Sequence, residues 1–224
     1  MTARRQSRRK GGSGGAVANR IVVAALPHVA VVGWTWEALA AAAGDLGLGR
    51  DAARRAFPAG PLDAVRRLSD HLDRAMEAEL KARGIDRMRV RDRIAAAVRA
   101  RLEIARPHRE AVRRTVSFLG LPGRSGLGAL LLWRTASAMW YAAGDASVDF
   151  SYYTRRALLA GVYGSTLLYW LADDSEDGVD TWTFLDRRIA NVMAIPKLKP
   201  SALAERFAPS VAKVLLRVLA RKGD

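Results

Sequence analysis

Half of the 224 residues are hydrophobic and 26% are charged, which excludes a disordered chain, and a chain this long buries roughly 70% of its unfolded surface without disulfides or a structural metal. There is no cysteine, so disulfide frameworks, zinc fingers, thiol nucleophiles and iron–sulfur ligation are removed together. Lys and Arg outnumber Asp and Glu by 37 to 22, a net +15 that asks for an anionic partner, either nucleic acid or an acidic membrane surface.

The first seventeen positions hold Arg4, Arg5, Arg8, Arg9 and Lys10 with no acid, then Gly11–Gly15. Residues 1–17 are predicted to be a flexible basic tail, serving solubility or touching lipid headgroups. The tail lacks the apolar region of a secretory signal. Periodicity predicts a helix over 18–32, with Ile21, Ala25, Val29 and Val32 on one stripe and a kink at Pro27. Thr35 is a suitable N-cap for a helix over 36–43, stopped by Gly44. A short segment over 50–56 precedes Phe57-Pro58. Pro61 then opens a helix through 83, with Leu62, Val65, Leu68, Leu72, Met76 and Leu80 at spacings of three and four. Two amphipathic helices follow over 87–106 and 109–119, split by Pro107, and residues 120–128 read as a loop.

Helices are next predicted over 130–143, 152–171 and 181–193. An acidic loop over 173–180 joins the last two. The longest uncharged apolar run, residues 157–172, falls short of the ~20 residues that span a bilayer. Arg155 and Arg156 precede it and Asp173 and Asp174 follow it, the wrong order for the helix macrodipole, so something other than the dipole must place them. A run this apolar is buried in the core or between subunits. Pro196 and Pro200 separate a last helix over 201–222, which Pro209 would divide. No alternating strand pattern and no repeat occurs. The expected fold is all-α, with a main domain over 18–195 and an amphipathic segment over 196–224.

Few constellations offer chemistry. His28, His71 and His108 lie on separate helices without ligand spacing. The stretch Asp173-Asp174-Ser175-Glu176-Asp177-Gly178 starts like an EF-hand loop, but Phe184 stands where the bidentate glutamate belongs. No phosphate-binding loop, nucleophile elbow or nucleophile–base pair can be assembled. The expectation is a non-enzyme without metal or cofactor.

The order of helices up to Phe57-Pro58 and the long helix after it resembles the helix-turn-helix of TetR-like proteins, in which a short third helix reads the major groove. Arg50, Arg54 and Arg55 would suit phosphate or guanine contacts. Against that, the spacing from Gly44 to Phe57 is longer than in those proteins. Ala52 and Ala53 also stand near the place of the usual aromatic residue. A TetR-type regulator with a hydrophobic ligand is the alternative reading.

A second resemblance covers about residues 20–222. It starts at Gly33-Trp34-Thr35 and Phe57-Pro58-x-Gly60 and continues through Arg91-x-Arg93-Ile94 and Arg101-Leu102. From Leu132 to Arg188 it is densest: Trp140, Gly144-Asp145, Ser147-x-Asp149-Phe150, Tyr153-Thr154-Arg155-Arg156, Val162-Tyr163 with Thr166, Asp174-Ser175 and Phe184-Leu185-x-x-Arg187. By these motifs the chain resembles the Coq9 proteins of coenzyme Q (ubiquinone) biosynthesis, in an Arg- and Ala-rich form like the alphaproteobacterial members. The resemblance implies a TetR-like fold that no longer reads DNA, and a homodimer that holds an isoprenoid quinone or phospholipid. It also implies docking to the di-iron demethoxyubiquinone hydroxylase at the membrane surface, here the cytoplasmic face of the bacterial inner membrane.

Leu131, Trp133, Met139, Trp140, Leu159, Tyr163, Leu167 and Trp170 are the candidate lipid lining. Apolar residues at helical spacing look alike in a core and around a cavity, and both readings stand. The family's docking patch maps onto Asp149, Tyr152, Tyr153, Arg155 and Arg156, with Tyr152 departing from the usual tryptophan. Exposed aromatic residues beside arginine suit an interface. In the last helix Leu203, Phe207, Val211, Val214, Leu215 and Val218 share a face opposite Arg206, Lys213 and Arg217. That pattern suits a membrane interface or packing on the domain.

Overall fold

The computed structural model describes residues 3–49, 51–144 and 150–194. Among them every regular element is helical, as the periodicity predicts. Helix α1 (Ala3–Ala24) and α2 (Leu26–Val32) are the two halves of the first predicted helix, bent 48° apart. Pro27 sits in the first turn of α2, where its missing N–H costs nothing, whereas inside one continuous helix it would clash with the preceding turn. Helix α1 begins well before residue 18 and takes in Gly11–Gly15. Once Ala18, Ile21, Val22 and Ala25 are packed in the core, each further residue adds a bond to an existing helix, which works against the low helix propensity of Gly11, Gly12, Gly14 and Gly15.

Thr35 caps α3 (Trp36–Asp45), its hydroxyl accepting from the Ala38 amide at 3.1 Å. Helix α4 (Asp51–Ala56) is short and ends on the buried Phe57. Helix α5 (Pro61–Arg83) keeps both predicted ends: proline opens it, and Gly84 closes it at φ 62°, a left-handed conformation that suits glycine. Helices α6 (Val90–Ala105) and α7 (Arg109–Gly120) are parted by a single turn at Pro107. Helix α8 (Ser125–Ala142) starts inside the predicted loop. Gly128 faces Leu119 there, and a Cβ would meet it at 3.5 Å, an ordinary packing distance. Helices α9 (Phe150–Ala172) and α10 (Val179–Ala194) complete the described chain.

Helices α1–α4 pack on α5 and α7, while α5, α6, α8, α9 and α10 form the larger bundle. Trp34, from the Gly33-Trp34-Thr35 motif, ties the N-terminal helices to α7: its indole N–H donates to the Thr115 hydroxyl at 2.8 Å.

The reversed charges around α9 resolve into specific partners. At its C-terminal end the guanidinium of Arg109 donates to the carbonyls of Trp170 and Asp173, and that of Arg113 donates to Leu171. Two cations from α7 thus sit where the dipole wants them. Asp173 turns to the next helix instead, accepting from the Ser175 and Thr181 amides (both 2.9 Å) and the Thr181 hydroxyl. Burial pushes its carboxyl up, but these hydrogen bonds outweigh burial and hold it well below the usual carboxylate range.

Candidate functional site

The eight lining candidates all lie on α8 and α9, where Leu131, Met139, Leu159, Tyr163 and Trp170 are buried and Trp133, Trp140 and Leu167 half-buried. They meet as packed side chains. Trp140 donates from its indole to the Arg155 carbonyl at 3.1 Å, Trp133 stacks on Tyr153 at 6.2 Å between centroids, and the Arg109 guanidinium covers Trp170. Gly164 of α9 lies against Leu132 of α8.

Beneath this layer lies a polar network that motif reading missed. Arg101 of α6 donates to the Asp73 carboxylate of α5 at 2.7 Å, to the Tyr163 hydroxyl of α9 at 2.6 Å and to the Ser69 hydroxyl at 3.4 Å. Thr135 of α8 donates to the same carboxylate at 3.0 Å. All five residues are buried. Burial works against the charge on Arg101, but the Tyr163 oxygen and the Asp73 carboxylate outweigh it and raise its pKa above the ordinary arginine value. Burial also pushes the Tyr163 hydroxyl up, against the pull of Arg101. A signal existed: Ser69, Asp73, Met76 and Leu80 form one stripe, and Ile94, Ala97, Arg101 and Ala105 another. A charge on each of two apolar stripes is a pair waiting to meet.

Asp73 also floors a surface cleft of about 370 Å³ bordered by Arg67, Asp70, Arg74, Glu77 and Arg134. Burial first, and then the nearby Asp73 carboxylate, push Glu77 up, opposed by Arg74. A second cleft of about 320 Å³ opens between α3 and α4, with Trp36, Glu37, Asp51 and Arg54 on its walls. Both clefts carry charge of both signs, and the lining candidates border neither. No group of three His, Asp or Glu that could hold a metal occurs among the described residues.

On the helix-turn-helix, α4 buries Ala52 and Ala53, and Arg54 lies over the Trp36 ring at 5.0 Å. Arg55 remains on the surface, Arg50 lies outside the described residues, and Asp51 and Glu37 put negative charge on the cleft beside Arg54.

Of the docking patch, Tyr153 is 62% exposed and Arg155 is also on the surface. Arg156 is fully buried, its guanidinium 5.6 Å from the centre of the Tyr141 ring. The reason is helical geometry: residues 156, 159 and 163 share the inward face of α9, so Arg155 and Arg156 cannot both face a partner. Asp149 and the side chain of Tyr152 lie outside the described residues, as do Leu203, Phe207, Val211, Val214, Leu215 and Val218.

The family model for COQ9 matches residues 126–196. The chain is 38% identical over 183 residues to "Ubiquinone biosynthesis protein COQ9, mitochondrial" of Rattus norvegicus, covering 79% of this chain and 59% of the relative. The chain is thus similar to COQ9 proteins over most of its length. The COQ9 of Homo sapiens is 38% identical over 181 residues, covering 78% of this chain and 57% of that one. This chain therefore spans less than two thirds of the length of the curated COQ9 relatives it matches. The crystal structure of a TetR transcriptional regulator from Nitrosomonas europaea superposes with a TM-score of 0.64 at 22% identity, covering 79% of this chain and 97% of that one. This chain thus has a TetR-like fold. The matched stretch takes in nearly all of α8 and the whole of α9 and α10, and with them every lining and docking candidate.

Proposed function

We propose that this chain is an accessory protein of ubiquinone biosynthesis, without catalysis of its own. It holds an isoprenoid quinone intermediate or a phospholipid at a membrane surface and presents the quinone to the di-iron demethoxyubiquinone hydroxylase. The observation that carries the reading is where the family signature falls. It covers the α8–α10 layer, which is rich in aromatic and apolar side chains, and leaves out the helix-turn-helix. A polyprenyl tail needs apolar walls, and the half-buried Trp133, Trp140 and Leu167 on α8 and α9 would supply them. Tyr153 and Arg155 form the docking patch for the hydroxylase. The exposed Leu168, Tyr169 and Val179 on α9 and α10 suit a second copy of the chain, giving a homodimer. The membrane would be the cytoplasmic face of the bacterial inner membrane, with the segment after residue 195 as anchor.

The fold also supports a TetR-type regulator, but the acidic pair Glu37 and Asp51 beside α4 disfavours a phosphate backbone. Native mass spectrometry with lipid extraction, beside a salt-titrated DNA-binding control, separates the two. A co-purifying quinone precursor with no specific DNA retention is expected, and an empty protein that binds DNA sequence-specifically would replace the proposal. Tyr153→Lys should leave the fold and lipid load intact and abolish capture of the hydroxylase. Undiminished co-purification would remove Tyr153 from the docking patch.

A further inference from the structure

The turn joining α5 to α6 combines two features that rarely share a surface. Residues 86–91 read Asp-Arg-Met-Arg-Val-Arg, alternating cations with apolar side chains. Met88 is 41% and Val90 50% exposed, and Arg87, Arg89 and Arg91 surround them on the surface. None of these three arginines makes an ion pair or side-chain hydrogen bond among the described residues, although exposed arginines elsewhere, such as Arg66, Arg83 and Arg99, are paired with carboxylates. The stretch holds one acid, Asp86, and Asp92 follows it, so the tip keeps a positive excess.

The turn is also held in shape. Ile85 is buried beneath it, and Gly84 supplies the left-handed residue that reverses the chain. Arg93 donates to the carbonyls of Met88 at 2.8 Å, Asp86, and Ala143 at 3.0 Å. One guanidinium thus ties the tip to the end of α8, where Tyr141 stands 65% exposed. The cations and apolar groups are presented by a preorganised loop, so little ordering entropy remains to be lost on binding.

We propose that this turn is a membrane-contact site for anionic phospholipid: Met88 and Val90 enter the acyl boundary while Arg87, Arg89 and Arg91 meet headgroup phosphates. Tyr141 belongs to the same contact, as an amphipathic ring at headgroup depth. Basic residues and apolar side chains together are what an anionic bilayer rewards. A nucleic acid backbone would satisfy the arginines but give Met88 and Val90 no apolar medium. The inference rests on the membrane association proposed above and adds a contact independent of the C-terminal segment.

The test uses the full chain, which has no cysteine, so Met88→Cys accepts an environment-sensitive fluorophore at one position. With vesicles of phosphatidylcholine and phosphatidylglycerol the probe should shift to the blue, and with phosphatidylcholine alone it should not. In vesicle flotation, Arg87→Gln/Arg89→Gln/Arg91→Gln should lower partitioning on the order of 100-fold, from a typical contribution per surface cation. Its thermal unfolding should be unchanged, because these side chains have no partners to lose. If the parent chain floats, the probe stays unshifted and the triple variant floats equally well, the turn is not a contact and the membrane reading stands without it. If the parent chain does not float at all, the membrane reading itself falls, and the turn with it. Duplex DNA binding that the triple variant loses, without any vesicle-induced shift, would assign the arginines to nucleic acid and overturn the proposal.

Discussion

Replacing Arg101 with methionine keeps much of the side chain's volume and removes its hydrogen bonds to Asp73, Tyr163 and Ser69. The Asp73 carboxylate would then keep only the Thr135 hydroxyl in a buried site, and the Tyr163 hydroxyl would lose the donor it accepts from. Breaking a buried pair from one side typically costs ~3–5 kcal/mol, because a charge is left without compensation. For a domain of this size each kcal/mol lowers Tm by roughly 2–4 °C, so a fall of about 6–20 °C is expected. The assay is urea and thermal unfolding followed by circular dichroism, with Arg101→Met, Asp73→Leu and the double variant measured together. The double variant should lose less than the sum of the singles, since neither charge then remains unpaired. A single-variant loss below ~1 kcal/mol, or a double-variant loss equal to the sum, would refute the claim that the network is one coupled buried unit.

Asp173→Asn weakens the acceptor of three hydrogen bonds at the start of α10 and should cost on the order of 1 kcal/mol at neutral pH. Because the folded-state pKa is depressed, the stabilisation is present above the unfolded value near ~4 and lost as pH falls toward the folded one. The gap between wild type and variant should therefore narrow in acid, and a gap independent of pH would contradict the assignment. Met139→Ala, at a position with no exposure, should cost ~2–5 kcal/mol in lipid-free protein if Met139 is core; a loss below ~1 kcal/mol in equilibrium unfolding would return it to the cavity lining. Gly144→Ala meets a backbone φ of 84° and places its Cβ 3.1 Å from the Arg93 guanidinium, so a loss on the order of 1–3 kcal/mol is expected. Unchanged stability there would argue against the Arg93 clamp.

Local chemistry made much of the fold legible from residues alone. The helical period, the Thr35 cap, Pro61 at the start of α5 and Pro27 at the bend each act within one turn of their own position, so no distant partner is needed to read them. The family motifs pointed to the α8–α10 layer for the same reason, since they are contiguous in the chain. What the sequence left open depends on contacts between residues far apart. Gly126 and Gly128 read as loop residues until Leu119 packs against the helix they belong to. Asp173 looked like a charge at the wrong end of α9 until the arginines of α7 took that place and Asp173 turned to α10. Arg156 and Arg155 are neighbours in sequence, yet the 100° step between them puts one in the core and the other in water. Arg101, Asp73, Tyr163 and Thr135 come from four helices, and only the packing of those helices decides that one cation shall answer one buried carboxylate.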